Sequence, residues 1–407
     1  MRTWLVCAAF PVACVATNAG AQTVTLTESA ALEQLGAESP RVQAALAGVD
    51  VARAEILAAA RWPNPRVTYN REAVAGVEEH MLMVSLTLPV TGRRRLDVSA
   101  ATARVDASAL RADDQIRRIR ADLRLAFTDL WAAQEREREL ARTRDRLDEL
   151  AGILRAREAA GEAAGFDRLR AEREVSDVDA RRAIAATERA QAQAILTSFL
   201  AARRDAAVIE AVRPSGPGAM LPTVDELMAR AETSRGDLVA LARDLDAAVF
   251  AERAADRRAI PEPEIVAGTK TSNAAGGDAG SIVSIHVSLP LFDRARPERT
   301  AAQARGRQAL AEAVVLRQMI RAQITAWRAA VVERRGIAER HRAALAAGTA
   351  QIERIAQVSY DAGERGILEL LDAHRTASSA RVRQVELDAA AREADIELEF
   401  ASGWELP

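Results

Sequence analysis

The chain has 407 residues, length enough for two or three ordinary domains, but its aromatics amount to only 3% and Ala and Arg dominate. Such a composition favours long helices over a thick aromatic core. The formal net charge of -2 comes from acids and bases interspersed along the chain. No region carries the basic excess that a nucleic-acid binder needs.

The N-terminal stretch MRTWLVCAAFPVACVATNAGAQ reads as a secretory leader over residues 1–21. Arg2 supplies the positive region, Trp4 to Ala16 the apolar region, and Ala19-Gly20-Ala21 a small-residue cleavage site before Gln22. Cys7 and Cys14 both lie inside it, so the mature chain would hold no thiol and no disulfide. Lipidation at Cys14 stays open as an alternative, although Pro11 stands where a lipoprotein signal usually has Leu. Past the leader there is no run of about 18 apolar residues, so any membrane span must be built of strands.

One unit is written twice. RWPNPRVTYN (Arg61 to Asn70) matches AIPEPEIVAG (Ala259 to Gly268), and SLTLPVTGRRR (Ser85 to Arg95) matches HVSLPLFDRAR (His286 to Arg296). LAFTDLW (Leu125 to Trp131) aligns loosely with TAWRAAV (Thr325 to Val331), and Gly161 falls against Gly363. All four pairs share an offset of about 200 residues, which defines repeats over 22–212 and 223–407 with a Pro/Gly-rich joint at 213–222.

Each repeat predicts helix, strand, strand, very long helix, glycine break and helix. The first long helix is expected from Arg94 to Ala160, on Ile116, Ile119, Leu123, Phe127 and Leu130, then Leu140, Leu147, Leu150 and Leu154. At 1.5 Å per residue it makes a rod of roughly 100 Å, whose apolar stripe needs an antiparallel cover. The helices expected over Ser29 to Arg61 and Leu169 to Ala202 together have nearly that length. Val224 to Arg258 plus Ile367 to Ser402 match Arg296 to Ala362 in the same way.

The strands alternate with period two. Leu82, Val84, Leu86 and Leu88 take one face, and Met81, Met83, Ser85 and Thr87 the other. Val283, Ile285, Val287 and Leu289 alternate likewise with Ile282, Ser284, His286 and Ser288. Segments of about nine residues fit a transmembrane β-strand, but four strands cannot close a barrel, so several chains are required.

After the second glycine break, YDAGERGILELLDAHR places Glu369 and Asp372 one turn apart. Residues three apart share a helix face, so both carboxylates can enter one lumen, or both can sit solvated on an exposed face.

These residues resemble the TolC-like family of bacterial outer-membrane efflux proteins, across essentially the whole mature chain. The duplicated LP-x-x-x-R junctions and the glycine-bearing breaks carry the likeness, while ARWPNPRV and SLPLFDR look most like the CzcC-like heavy-metal branch. The resemblance implies a mainly α, internally duplicated fold with a small β part. Long antiparallel coiled-coil helices would form a periplasmic α-barrel. Four strands per chain would join a homotrimeric, twelve-stranded barrel in the cell outer membrane. It further implies a passive exit duct for heavy-metal cations, served by a periplasmic adaptor and an inner-membrane pump of the RND type. By position, Arg365 would latch the closed tip to Asp167, Glu369 and Asp372 would ring the constriction, and Gly161, Gly165, Gly363 and Gly366 would form the tips that the adaptor grips. Glu369 stands where the family usually has Asp, which narrows the ring.

No catalytic constellation appears, and no cofactor is expected. The four histidines, His80, His286, His341 and His374, have no metal-ligand spacing, and Met81 and Met83 read as lumen lining. NAAGGDAGS (Asn273 to Ser281) reads as a turn between strands, not a phosphate loop. Two rival readings remain: the same duct for drugs or a secreted polypeptide, and a soluble periplasmic coiled-coil scaffold.

Overall fold

A computed structural model describes residues 23–161, 165–200, 208–214 and 220–403. The expected leader, both cysteines and half of the Pro/Gly joint, 215–219, lie outside these residues. The elements in chain order are β1 (Thr23–Leu26), α1 (Glu28–Glu33), α2 (Pro40–Ala60), β2 (Arg66–Val74), β3 (Val77–Thr87), α3 (Arg93–Ala159), α4 (Gly165–Thr197) and β4 (Val208–Ala211). The second repeat follows with α5 (Val224–Ser234), α6 (Gly236–Arg258), β5 (Pro263–Ser272), β6 (Asp278–Val287), α7 (Arg296–Ala344), a π-helical turn (Leu345–Thr349), α8 (Ala350–Asp361) and α9 (Ile367–Ser402).

The 67-residue α3 forms as its apolar period predicts. Leu123, Phe127 and Leu130 are fully enclosed, and Leu147, Leu150 and Leu154 continue the buried stripe. Each such side chain contributes about 2 kcal/mol by leaving water. The cover is the one expected: α2 and α4 both pack along α3, and α6 and α9 along α7, with α6 also joining the two repeats through α3.

Three expected helices are interrupted. The first breaks after α1, where the Gln34–Ser39 segment containing Gly36 intervenes, and restarts with Pro40 at the first turn. The helix over Val224 to Arg258 breaks at Arg235, whose extended backbone separates α5 from α6. The long helix of the second repeat contains the π turn at 345–349, while its counterpart α3 runs without a break. Two short strands were not foreseen. β1 and β4 pair in parallel, Val24 with Ile209, and Leu26, Ile209 and Ala211 pack on the middle of α3 with Leu123, Phe127 and Leu130. Four residues each are too few for a period-two signal.

The four longer strands form one antiparallel sheet in the order β2-β3-β5-β6. Register sorts its faces into rows. Val67, Val84, Ala267 and Val283 lie side by side, flanked by Leu86, Ile265 and Ile285 on one side and by Tyr69 and Leu82 on the other. The opposite face carries Thr68, Met83, Gly268 and Ile282 in one row and Asn70, Met81, Lys270 and Gly280 in the next. His80 lies on the apolar face, away from Met81 and Met83, and its Nδ1 shares a 2.8 Å hydrogen bond with the Tyr69 hydroxyl. The outer strands β2 and β6 each leave one edge unpaired within the chain.

Candidate functional site

The two helical hairpins turn by the same device. At the end of α8, Gly363 adopts φ +72°, and the N–H groups of Gly363 and Glu364 donate to the carbonyls of Tyr360 and Ser359 at 3.0 and 2.9 Å. That is a Schellman cap, which requires a left-handed residue and so favours glycine. Gly161, at φ +78°, ends α3 with its N–H on the Glu158 carbonyl at 2.9 Å. Gly165 opens α4 so close to the Glu158 carboxylate that a Cβ there would approach it to 2.5 Å. Gly366 caps α9 in an extended conformation.

Arg365 is exposed on the second tip, and Asp167 is half-buried in the first turn of α4. Among the described residues no ion pair joins them within the chain. Glu369 and Asp372 are both exposed on α9, directly above Leu370 and Leu371, which are buried. Glu369 is also in the first turn of its helix, where a carboxylate complements the helix dipole.

The structure brings together residues that sequence reasoning passed over. Arg375 on α9 donates to Glu174 on α4 through both Nε and Nη2, at 3.1 and 2.6 Å. Glu174 is only 9% exposed. The Glu174 pair holds the Arg375 guanidinium above its ordinary pKa. Its signal was present in the sequence, because Glu174 interrupts the buried stripe Ala171, Val178 and Ala185.

One turn further up, the Glu353 carboxylate of α8 receives Arg381 at 2.6 and 3.1 Å, Arg146 of α3 at 3.3 Å, and His374 at 3.6 Å. Burial lowers the His374 pKa, against the upward pull of Glu353. Thr143 and Ser378 add a buried hydroxyl contact of 2.9 Å between α3 and α9. Polar contacts therefore tie the second hairpin to the first just above the tips. Among the described residues, no group of three or more His, Cys, Asp or Glu side chains is arranged to hold a metal ion. No described helix is long and apolar enough to cross a membrane.

The chain thus folds as a duplicated helical hairpin that carries one four-stranded amphipathic sheet. A membrane protein from Pseudomonas aeruginosa superposes with a TM-score of 0.76 at 21% identity, covering 92% of this chain and 93% of that one. CusC superposes with a TM-score of 0.76 at 17% identity, over 93% and 92% of the two chains. The open state of the MtrE outer membrane channel of Neisseria gonorrhoeae gives 0.74 at 18% identity, over 93% and 89%. No curated protein matches the sequence. Residues 31–202 match the family described as outer membrane efflux protein.

Proposed function

We propose that this protein is the outer-membrane exit duct of a three-part efflux system, a passive channel that carries heavy-metal cations from the periplasm to the outside. The observation that carries the reading is the sheet. One face is a register-matched apolar belt and the other is largely polar, and strands β2 and β6 each leave an edge unpaired. An open edge cannot persist in hydrocarbon, so copies of the chain pair β6 of one with β2 of the next until a threefold, twelve-stranded cylinder closes.

The helical hairpins then extend into the periplasm. A periplasmic adaptor grips the tips at Gly161, Gly165, Gly363 and Gly366, and an inner-membrane pump of the RND type supplies the energy. The latch between Arg365 and Asp167 is made between copies, and Glu369 and Asp372 recur three times around the narrowest point. The metal assignment is supported by the likeness of ARWPNPRV and SLPLFDR to the heavy-metal branch and by the acidic pair at the tip.

Membrane fractionation and mass measurement in mild detergent test this reading. The expected result is a trimer that stays in the outer-membrane fraction. A monomer, or extraction into detergent-free buffer, would favour the soluble scaffold.

A further inference from the structure

The junction between sheet and helices combines exposed apolar side chains with arginines. Just below the apolar belt, the loops that lead into α3 and α7 expose Val90, Leu289, Leu291 and Phe292, the last completely. Trp62, at the entry to β2, is 58% exposed and lies under the Arg94 guanidinium, 5.1 Å from its ring centre. A large aromatic with one wet edge, held beside an arginine at the end of a lipid-facing belt, has the composition of a membrane–water interface.

Charge sets this rim apart from the opposite one. Most arginines of the helical rods meet a carboxylate, but Arg95, Arg294 and Arg296 are exposed and form no ion pair among the described residues. Arg61 and Arg94 bond only to backbone carbonyls, of Ala58 and Ala60. At the far rim, Arg71 and Lys270 are both matched, by Glu78 and Glu79. Free guanidinium groups next to exposed apolar side chains fit an anion that carries its own hydrocarbon.

We propose that this basic, aromatic collar binds anionic phospholipid of the periplasmic leaflet, with the phosphate on Arg294 and Arg296 and the acyl chains against Phe292 and Leu291 of one copy and Trp62 of the next, which the pairing of β6 with β2 brings alongside. The proposal rests on the barrel reading above. Continuity with the apolar belt and the uncompensated positive charge argue for lipid over a protein partner. The collar would fix the depth at which the barrel sits and with it the height of the periplasmic tips.

The test is quenching by brominated lipids in vesicles holding the reconstituted full-length protein. Subtracting the spectrum of Trp62→Phe isolates the Trp62 signal, and Phe292→Trp in that background adds a second reporter. Brominated phosphatidylglycerol should quench both reporters, with a relative affinity over brominated phosphatidylethanolamine that falls roughly tenfold in Arg294→Gln/Arg296→Gln. Equal quenching by the two lipids in the wild type would overturn headgroup selection. No quenching by either would show that the collar is covered by a neighbouring subunit. Leu82→Trp, in the middle of the belt, is quenched by both lipids as long as the barrel reading holds, so failure of the collar is distinguishable from failure of the barrel.

Discussion

Arg375 reaches from the second hairpin to the first and donates from Nε and Nη2 to the two carboxylate oxygens of Glu174, at 3.1 and 2.6 Å. The two partners are not equivalent. The arginine side chain is 52% exposed, whereas the carboxylate is 11% exposed. Removing the arginine therefore strands a buried charge, while removing the acid leaves a cation that water can solvate. Arg375→Ala should cost about 2 kcal/mol of thermal or denaturant stability, Glu174→Ala about 1 kcal/mol or less, and the double variant less than the sum. The reverse order of the single variants would show that the contact is incidental. In planar bilayers, Arg375→Ala should also raise closed-state conductance, because the tie holds the second hairpin against α4.

The proposed latch is tested separately. Arg365 is exposed and unpaired with Asp167 inside the chain, so a contact between copies is broken equally from either side. Arg365→Ser and Asp167→Ala should each raise single-channel conductance. If both leave it unchanged, the latch role is lost and Arg365 serves only the turn.

Glu369 and Asp372 give a third expectation. Carboxylates repeated around a narrow lumen repel one another and attract cations, so divalent ions added from the tip side should block the pore. Glu369→Ala/Asp372→Ala should abolish that block at concentrations that close the wild type. A block that persists would leave Glu369 with its other role, complementing the first turn of α9.

Much of this architecture was legible because two periods, near 3.6 and 2, decide burial over long stretches. The stripe from Leu123 to Leu154 named the buried face of α3, and the alternation from Met81 to Leu88 named the two faces of β3. What escaped notice was set by contacts distant in sequence. β1 and β4 are separated by most of the first repeat and have four residues each. The bond between Glu174 and Arg375 spans 201 positions, and no local pattern pairs them. The π turn at 345–349 contains Gly348, a weak helix former, but Gly152 stands inside the unbroken α3, so a single glycine did not mark the site. Charged residues inside a buried stripe were the signal within reach.

Glycines of the sheet allow a paired experiment. A Cβ at Gly268 would stand 2.3 Å from the Leu82 carbonyl oxygen and 2.9 Å from the Met83 Cα, both backbone atoms of the adjacent strand. At Gly280, on the same face in the next row, nothing lies within 4 Å. Gly268→Ala should therefore destabilise the sheet by about 2 kcal/mol and reduce the yield of folded oligomer, whereas Gly280→Ala should behave as wild type. Equal yields from the two variants would mean that strands β3 and β5 are not in the register described.

Acidification should loosen the contacts above the tips, through His374. Its imidazole is buried against Glu353, Arg146 and Arg381, and burial holds its pKa below the ordinary value despite the carboxylate. For a folded-state pKa that is depressed, the contribution to stability is complete above the unfolded value, about 6.5, and is lost as pH falls through the folded value. The wild type should lose thermal stability as pH falls below about 6.5 more steeply than His374→Asn, which cannot take up the proton. Conductance should follow, with acid raising the closed-state current of the wild type more than that of the variant. Parallel stability curves for the two proteins over that range would show that the proton enters elsewhere and that the Glu353 cluster is held by its two arginines alone.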